Sequence, residues 1–272
     1  MGREVAIGIV VYNAGENLLG RLKMAVAAGH SVYIFDNSPS NDSVKQLAKN
    51  QEGIEYFTCG NNVGLGYGIS TVCAQAEADN FQALMFFDQD TGFSKETLDF
   101  VEQFYSDKKH LVSEYSAFLF NAKNVGEGAT NHGGLRDVLL AINSGSLYFL
   151  KNLKKLGWHD HSYFVDGVDY KFCLDSSKNN MKIGECSYTP GFDHVTEQED
   201  SIYSFLGKDY QFRPYSFKRI VDTSVSSVRL ITYSLLNGEW KFLKVFVRLF
   251  SIYLVTQVYV RVANFWRRNK NV

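Results

Sequence analysis

Short apolar runs alternate with amphipathic stretches along the first ninety residues of this 272-residue chain. The apolar runs are rich in β-branched and aromatic side chains and almost free of charge, which is typical of strands buried on both faces of a parallel sheet. They cover residues 5–12, 31–35, 54–58 and 83–87. Residues 17–28, 43–49 and 69–78 have the apolar spacing of helices. This alternation predicts βαβ units, and therefore an α/β fold whose parallel sheet is flanked by helices.

The pattern weakens in the middle of the chain and changes again towards the C-terminus. Residues 93–157 are less regular, with a loop-like stretch at 124–134 and a further strand predicted over 141–150. Residues 240–272 carry seven basic residues and no acidic one. We therefore predict an α/β domain over residues 1–205 and a helical, basic segment over residues 206–272.

Composition argues against several classes of protein. The net charge of -1 gives no global field for nucleic acid, so no nucleic-acid partner is expected. The four cysteines lack CxxC spacing and predict neither a zinc site nor a disulfide framework. The N-terminus shows no secretory signal, so we expect a reducing, cytoplasmic location. Aromatic residues make up 15% of the chain and could stack on sugars, although a Phe-rich core is the simpler explanation.

Polar clusters follow three of the predicted strands, at the edge where open α/β sheets bind their ligands. They are Tyr12-Asn13, Asp36-Asn37 and Asp88-Gln89-Asp90. The last cluster places two carboxylates, one residue apart, directly after a buried strand. Such a pair can hold a divalent cation that also binds a diphosphate. A turn or a helix N-cap explains the same aspartates equally well.

Asn62 to Gly68 form a glycine-rich loop after the third strand. The loop resembles a dinucleotide-binding motif only in part, because its GxGxG spacing and its position after the third strand both differ from that motif. This disfavours a nucleotide-dependent oxidoreductase. The alternative is a turn that lets the backbone approach another group closely.

A third set of polar residues follows in the second half of the chain. Asp166 and Asp169 open an apparent helix, where a carboxylate either is stabilised by the helix dipole or acts as a general base. His194 follows a short segment bounded by Pro190. A lone histidine is usually structural or solvated, so His194 predicts a metal ligand only in combination with other motifs.

Seven segments together, over residues 5–195, resemble a family-2, GT-A-type glycosyltransferase, especially its rhamnosyltransferase-like branch. In the order of that family they are VVYN, IFDNSPSND, NVGLGYG, FFDQDT, INSGSL, FVDGVDYKFCL and GFDHV. The resemblance implies a GT-A, Rossmann-like fold with a mixed, mostly parallel sheet and a C-terminal helical extension. The chain departs from the family at Ser70, where Asn is frequent, and at Asp175, where Arg is usual.

The resemblance also implies an inverting transfer from a nucleoside-diphosphate sugar, with Mn²⁺ or Mg²⁺ as cofactor. Asp169 would be the general base, with Asp166 as the alternative. Asp90, Asp88 and His194 would hold the metal. The residues expected to bind the nucleotide sugar are Tyr12, Asn13, Asp36, Asn62, Gly64, Asp88, Gln89, Ser144 and Gly145. The expected donor is dTDP-rhamnose or a UDP-hexose such as UDP-galactofuranose, and the expected acceptor is a lipid-linked glycan of a surface polysaccharide. A non-catalytic nucleotide-sugar-binding or scaffold protein with the same fold is the alternative.

The C-terminal segment predicts attachment to a membrane surface. Lys241, Lys244 and Arg248 fall on one helical face, and the uncharged run 249–260 is only 12 residues long. Because a bilayer span needs about 20 apolar residues, we expect an interfacial helix, with a bend or a break before Arg261. The expected location is therefore peripheral, on the cytoplasmic face of the plasma membrane. Packing on the catalytic domain, or on a second subunit in a homo-oligomer, is the alternative.

Overall fold

The computed structural model describes residues 3–39, 42–121, 134–194, 201–205 and 208–270. The strands are β1 Val5–Val11, β2 Val32–Asp36, β3 Ile54–Thr58, β4 Ala83–Asp88, β5 Thr91–Gly92, β6 Tyr115–Phe120, β7 Leu135–Val138, β8 Ser146–Phe149, β9 Lys182–Cys186, β10 Asp193–His194, β11 Ser201–Phe205 and β12 Lys208–Phe212. The helices are α1 Glu16–Ala27, α2 Asp42–Asn50, α3 Leu65–Ala78, α4 Lys95–Lys108, α5 Leu150–Leu156, α6 Val168–Lys178, α7 Phe217–Leu236 and α8 Trp240–Lys270, with a short 3₁₀ turn at Lys109–Leu111.

Eight of the strands form one sheet in the order β3-β2-β1-β4-β8-β6-β9-β7. β1 pairs in parallel with β2 and β4, and β2 pairs in parallel with β3. β8 runs antiparallel between β4 and β6, and β7 is antiparallel at the far edge. The expected α/β fold, with a mixed and mostly parallel sheet flanked by helices and a C-terminal helical extension, is confirmed. The extension contains the helices α7 and α8.

The core of this sheet explains the near-continuous apolar runs of the sequence. Every residue of β1 is buried, because helices cover both faces of a parallel sheet. Aromatic rings fill much of the remaining space: Phe87 stacks on Phe93 at 4.2 Å between ring centroids, and Phe118 meets Phe149 edge to face at 4.8 Å. These rings belong to the Phe-rich core that composition suggested.

Two elements differ from their predicted extents because of glycines. α3 starts at Leu65, four residues before the predicted start, and contains Gly66 and Gly68. Glycine is a poor helix former, so the sequence pattern hid this first turn. The strand predicted over 141–150 shortens to β8, because Gly145 adopts a left-handed conformation with φ +85° just before it.

The predicted loop over 124–134 lies outside the described residues, apart from Gly134.

The chain divides into two compact units, Met1–Val195 and Thr196–Val272. The sequence placed a domain boundary further along, between residues 205 and 206. In the second unit, β11 and β12 form a hairpin, and α7 packs against α8. Ser226, Leu230 and Ser234 form the buried stripe of α7, one turn apart. α8 runs as one helix from Trp240 to Lys270. Of the two expected alternatives, a bend or a break before Arg261, the break is therefore wrong.

Within α8, Trp240–Phe265 is long and apolar enough, by length and composition, to cross a membrane. Only 17% of its most apolar window is buried. The sequence-based statement that the segment is too short to span a bilayer is wrong on this point, because it counted only the uncharged run. Apolar side chains also surround α8 on several sides and do not form a single stripe, so the expected division into a basic face and an apolar face is not observed.

Candidate active site

The carboxyl ends of β1, β2 and β4 lie side by side, because the three strands are parallel. Hydrogen bonds tie the loops that follow them. The Tyr12 backbone N–H donates to Gln89 Oε1 at 2.7 Å, and the Asn13 N–H donates to Ser38 Oγ at 2.7 Å. Asn13 adopts φ +50°, a conformation that Asn tolerates better than most residues. The structure therefore brings together the polar clusters that the sequence placed at three separate strand ends.

Asp36, at the end of β2, is fully buried. Its Oδ1 accepts a hydrogen bond from the Ser38 N–H at 2.8 Å, and its Oδ2 accepts one from the Tyr56 hydroxyl at 2.9 Å. The carboxylate therefore fixes the β2 loop against β3. A nucleotide base would have to share Asp36 with these two donors, so the predicted contact with a base stays a prediction.

Asn37 is a structural residue of the site that the sequence analysis placed in a strand-end polar cluster without giving it a role. Its side chain is buried, and its Nδ2 donates to the Gly64 carbonyl at 3.1 Å while its Oδ1 accepts from the Val63 N–H at 3.0 Å. Asn62 Oδ1 accepts from the Gly64 N–H at 3.0 Å. Asn37 thus clamps the glycine loop to the end of β2. The signal in the sequence was an amide directly after a buried strand-end aspartate.

The glycine loop approaches the segment that leads to Asp166 and Asp169. Gly64 has φ +95°, and a Cβ at this position would lie 2.8 Å from the Phe164 carbonyl oxygen. That carbonyl accepts a hydrogen bond from the Leu65 N–H at 2.6 Å. A Cβ on Gly66 would lie 2.8 Å from the Asp160 carbonyl oxygen. Gly64 and Gly66 therefore permit the close backbone approach that the sequence analysis gave as the alternative to a dinucleotide-binding motif.

Three carboxylates converge at this edge. Burial, together with the negative charges of Asp90 and Asp169, raises the pKa of Asp88 to about 7. Burial also raises the pKa of Asp169 to about 6, although the Tyr170 N–H, which donates to Asp169 Oδ1 at 2.9 Å, opposes that rise. Asp166 adds a smaller like-charge effect on the pKa of Asp169. These mutual effects place the two predicted acidic segments in one site.

Ser144 and Gly145 support the loop that carries these carboxylates. The Ser144 hydroxyl is buried, accepts from the Asp88 N–H at 3.1 Å and lies 2.6 Å from Thr91 Oγ1. The Gly145 N–H donates to the Phe86 carbonyl at 2.9 Å. A Cβ on Gly145 would lie 2.6 Å from the Phe120 carbonyl oxygen. Both residues therefore stabilise the C-terminal end of β4. The sequence analysis predicted a different role for them, which is to bind the nucleotide sugar.

β10 brings His194 to the same place. β10 pairs antiparallel with β5, and His194 lies opposite Thr91, the residue after Asp90. The His194 side chain is outside the described part of the structure. Among the described residues, no group of three His, Cys, Asp or Glu side chains is arranged to hold a metal ion. Asp88 and Asp90 nevertheless suit a hard divalent cation whose other ligands come from a diphosphate, and such a cation would relieve the repulsion that raises the pKa of Asp88.

The two departures from the family pattern have local partners. The Ser70 hydroxyl donates to the His159 carbonyl and accepts from the His159 N–H, each at 3.1 Å. Asp175 accepts from Lys171 Nζ at 2.6 Å. Ser70 therefore fixes the segment that follows α5, and Asp175 lies in an ion pair within α6.

Residues 6–123 match the family model of Glycosyl transferase family 2. No curated protein matches the chain. Among solved structures, S. aureus TarS 1-349 is similar with a TM-score of 0.52 and 18% identity, covering 70% of this chain and 59% of that chain. TarS 1-349 in complex with UDP-GlcNAc gives 0.54 and 16%, covering 84% and 66%. GalNAc-T7 with UDP, GalNAc and Mn²⁺ gives 0.54 and 12%, covering 75% and 44%.

These similarities describe the first unit. It has a GT-A-like fold, and its residues 6–123 are similar to the Glycosyl transferase family 2 model. The chain spans 59% of the length of the TarS 1-349 structure. The rhamnosyltransferase-like branch and the acceptor rest on the motifs alone.

Proposed function

We propose that this chain is an inverting glycosyltransferase that moves a sugar from a nucleoside-diphosphate sugar to a glycan acceptor. The observation that carries the proposal is the convergence of Asp88, Asp90 and Asp169 at the carboxyl edge of the parallel strands. His194 lies nearby in β10, which pairs with β5. The match of residues 6–123 to the family 2 model supports it. So do the structures of similar fold, TarS with UDP-GlcNAc and GalNAc-T7 with UDP, GalNAc and Mn²⁺.

Asp169 is the proposed general base. The acceptor hydroxyl gives its proton to the Asp169 carboxylate, its oxygen forms a bond to the anomeric carbon of the donor, and the bond from that carbon to the diphosphate breaks with its electron pair. A pKa of about 6 leaves Asp169 mostly ionised at neutral pH and still basic enough to accept a proton. Asp166, three residues earlier, is the alternative base.

Asp90, Asp88 and His194 are the proposed ligands of Mn²⁺ or Mg²⁺. When bound, the cation would neutralise charge on the departing diphosphate. The Ser144 hydroxyl and the β10 pairing hold the two carboxylates and the histidine backbone in register. Tyr12, Asn13 and Asp36 surround the proposed position of the nucleotide base.

The proposed donor is dTDP-rhamnose or a UDP-hexose such as UDP-galactofuranose. The order of the seven motifs supports the first, and the UDP and UDP-GlcNAc complexes of TarS support a uridine donor. The proposed acceptor is a lipid-linked glycan in surface polysaccharide biosynthesis.

We also propose that the protein is attached to the cytoplasmic face of the plasma membrane through its C-terminal helices. Both helices carry exposed apolar side chains. They include Phe217, Val221, Val225, Val228 and Leu235 in α7, and Trp240, Val247, Leu254, Val255, Val258, Val262 and Phe265 in α8. A helix that is apolar all round and exposed suits an apolar phase better than water. Basic residues of α8 add attraction to anionic lipids.

A donor screen tests the enzymatic proposal. The full-length protein is incubated with dTDP- and UDP-sugars, Mn²⁺ and a lipid-linked acceptor, and release of the nucleoside diphosphate is measured. We expect release with at least one donor, its loss in Asp169→Asn, and unchanged release in Asp99→Asn, an exposed aspartate of α4 paired with Lys95. Donor binding by the native protein without any turnover would instead support the non-catalytic alternative.

A further inference from the structure

A pocket of ≈ 330 Å³ lies at the edge of the sheet opposite to the carboxylates. Gln82, in its lining, directly precedes β4, and its carbonyl accepts from the Leu150 N–H at 3.1 Å. Asp88 ends β4 six residues later. At about 3.3 Å per residue, the two ends of this strand are about 20 Å apart. The pocket is therefore separate from the candidate active site.

Lysines dominate the lining of this pocket. Lys109 follows α4, and Lys151 and Lys155 lie one turn apart on α5, while the lining contains no aspartate or glutamate. Like charges at this spacing destabilise a helix. Lys154, between them in sequence, forms an ion pair with Glu77 at 2.9 Å. No such pair is found for Lys151 or Lys155 among the described residues. The pocket therefore retains uncompensated positive charge.

One carboxylate does compensate part of this charge. Lys109 Nζ lies 2.5 Å and 2.7 Å from the two carboxylate oxygens of Glu4, and both side chains are about half exposed. Lys109 is therefore partly neutralised. The charge available to a ligand comes mainly from Lys151 and Lys155.

The other walls of the pocket are fixed and supply neutral donors. Asn152 is buried, and its Nδ2 donates to the Val112 and Tyr115 carbonyls at 2.7 Å and 2.8 Å. These bonds hold the segment that carries Ser113 against α5. Burial raises the pKa of Tyr105 to about 12, so its hydroxyl stays protonated and can donate. Two ammonium groups and two hydroxyls thus surround one space.

We propose that this pocket binds a phosphate group through Lys151 and Lys155, with hydrogen bonds from Ser113 and Tyr105. Ammonium and hydroxyl donors are the groups that bind a phosphate oxyanion most strongly, and lysine serves as a point charge where no planar fork is needed. The phosphate belongs either to free inorganic phosphate or to the headgroup of an anionic phospholipid. The two sources share this chemistry, and the test separates them.

The test compares two double variants of the full-length protein that lose the same charge. Lys151→Gln with Lys155→Gln removes the proposed ligands. Lys45→Gln with Lys49→Gln is the matched control, because these lysines are also exposed and one turn apart, on α2. Binding of inorganic phosphate is measured by calorimetry in EDTA, which keeps divalent cations out of the acidic site. Binding to phosphatidylglycerol vesicles, relative to phosphatidylcholine vesicles, is measured by co-sedimentation.

We expect the first double variant to bind one of the two probes at least about tenfold more weakly than the native protein, because it loses two charge-assisted contacts. The control should bind both as the native protein does. Weakened phosphate binding assigns the pocket to a free anion, and weakened binding to phosphatidylglycerol alone assigns it to a lipid headgroup. Equal behaviour of the two double variants towards both probes, or no binding of either probe by the native protein, would overturn the proposal. Both double variants should keep the thermal unfolding midpoint and the nucleoside-diphosphate release of the native protein, because the changed lysines are exposed. A lower midpoint in either variant would reveal a folding defect.

Discussion

The two units of this chain treat their apolar residues in opposite ways. In the first unit, strand residues such as Ile7 and Phe86 are completely inaccessible to solvent. In the second, Val255 and Val258 of α8 are 68% and 62% exposed. The first unit buries its apolar residues in its own core, and the polar residues of the candidate site lie at one edge of its sheet. The second unit keeps apolar surface that only another apolar phase or another protein surface can cover.

We therefore expect the first unit to carry out turnover and the second unit to attach the protein to a membrane. Substitutions at the carboxyl edge of the sheet should then change turnover without changing membrane attachment. Substitutions of exposed apolar residues of α8 should change membrane attachment without changing turnover. Each of the following experiments tests one side of this separation.

Asp90→Ala should have the largest effect on turnover. It removes a carboxylate at the proposed metal position, so release of the nucleoside diphosphate should fall to background. Binding of UDP or dTDP should also lose its dependence on Mn²⁺. Asp107→Ala, in α4, is the control and should leave both unchanged. Near-normal turnover of Asp90→Ala, or full activity of the native protein in excess EDTA, would contradict the metal assignment.

Asp169→Asn should lower kcat by about a hundredfold or more, because the amide keeps the shape of the carboxylate but cannot accept a proton. Donor affinity should survive. In the native protein, kcat should rise with pH through about 6, since the base must be ionised and the pKa of Asp169 is raised to about that value. If Asp166→Asn is the inactive variant and Asp169→Asn is active, the roles of the two carboxylates are reversed.

Val255→Glu with Val258→Glu should reduce flotation of the full-length protein with anionic liposomes to less than about a tenth, because each change places a charge on the exposed apolar face of α8. High salt should weaken the attachment of the native protein without abolishing it. Ser43→Glu with Gln46→Glu, on α2, adds the same charge to the first unit and should leave flotation unchanged. Equal flotation of both variants, with dissociation of an oligomer only in the first, would assign the α8 face to self-association.

The sequence predicted the first unit well because its signals are local. The runs over β1, β2 and β4 are buried on both faces, so strand and core coincide in the pattern. The convergence of strand-end residues follows from parallel pairing alone. The sequence marked Asn37 only as an amide after a strand-end aspartate. Its partners, Val63 and Gly64, could not be predicted, because they are fixed by the three-dimensional path of the glycine loop.

The second unit was less predictable for a physical reason. The length of an uncharged run underestimates the length of the helix that contains it. α8 continues through Lys244, Arg248 and Arg261, because long basic side chains are compatible with an otherwise apolar helix. The buried stripe of α7 contains Ser226 and Ser234, small polar residues that give no hydrophobic signal although they allow close helix packing.

The smallest predicted effect concerns acid stability, and it should be confined to the first unit, since all six histidines lie within residues 1–195. The His159 ring is buried, stacks on Phe172 at 5.2 Å and meets Tyr148 edge to face at 4.9 Å. Burial lowers its pKa from 6.5 to about 3. Between these values the unfolded chain binds more protons than the native protein, so stability is present above pH 6.5 and is lost as the pH falls.

At pH 5 this linkage costs about 2 kcal/mol of the free energy of unfolding. His159→Phe keeps a ring between Tyr148 and Phe172 and removes the titration, so it should reduce the loss of stability between pH 7 and pH 5 by about that amount. Some loss should remain, because burial and the charge of Arg3 lower the pKa of His30 to about 4. Urea unfolding of the native protein, His159→Phe and the exposed control His110→Gln at both pH values measures the difference. If His159→Phe loses as much stability on acidification as His110→Gln does, the buried ring is not the source of the acid sensitivity, and the first unit must weaken at its carboxylates instead.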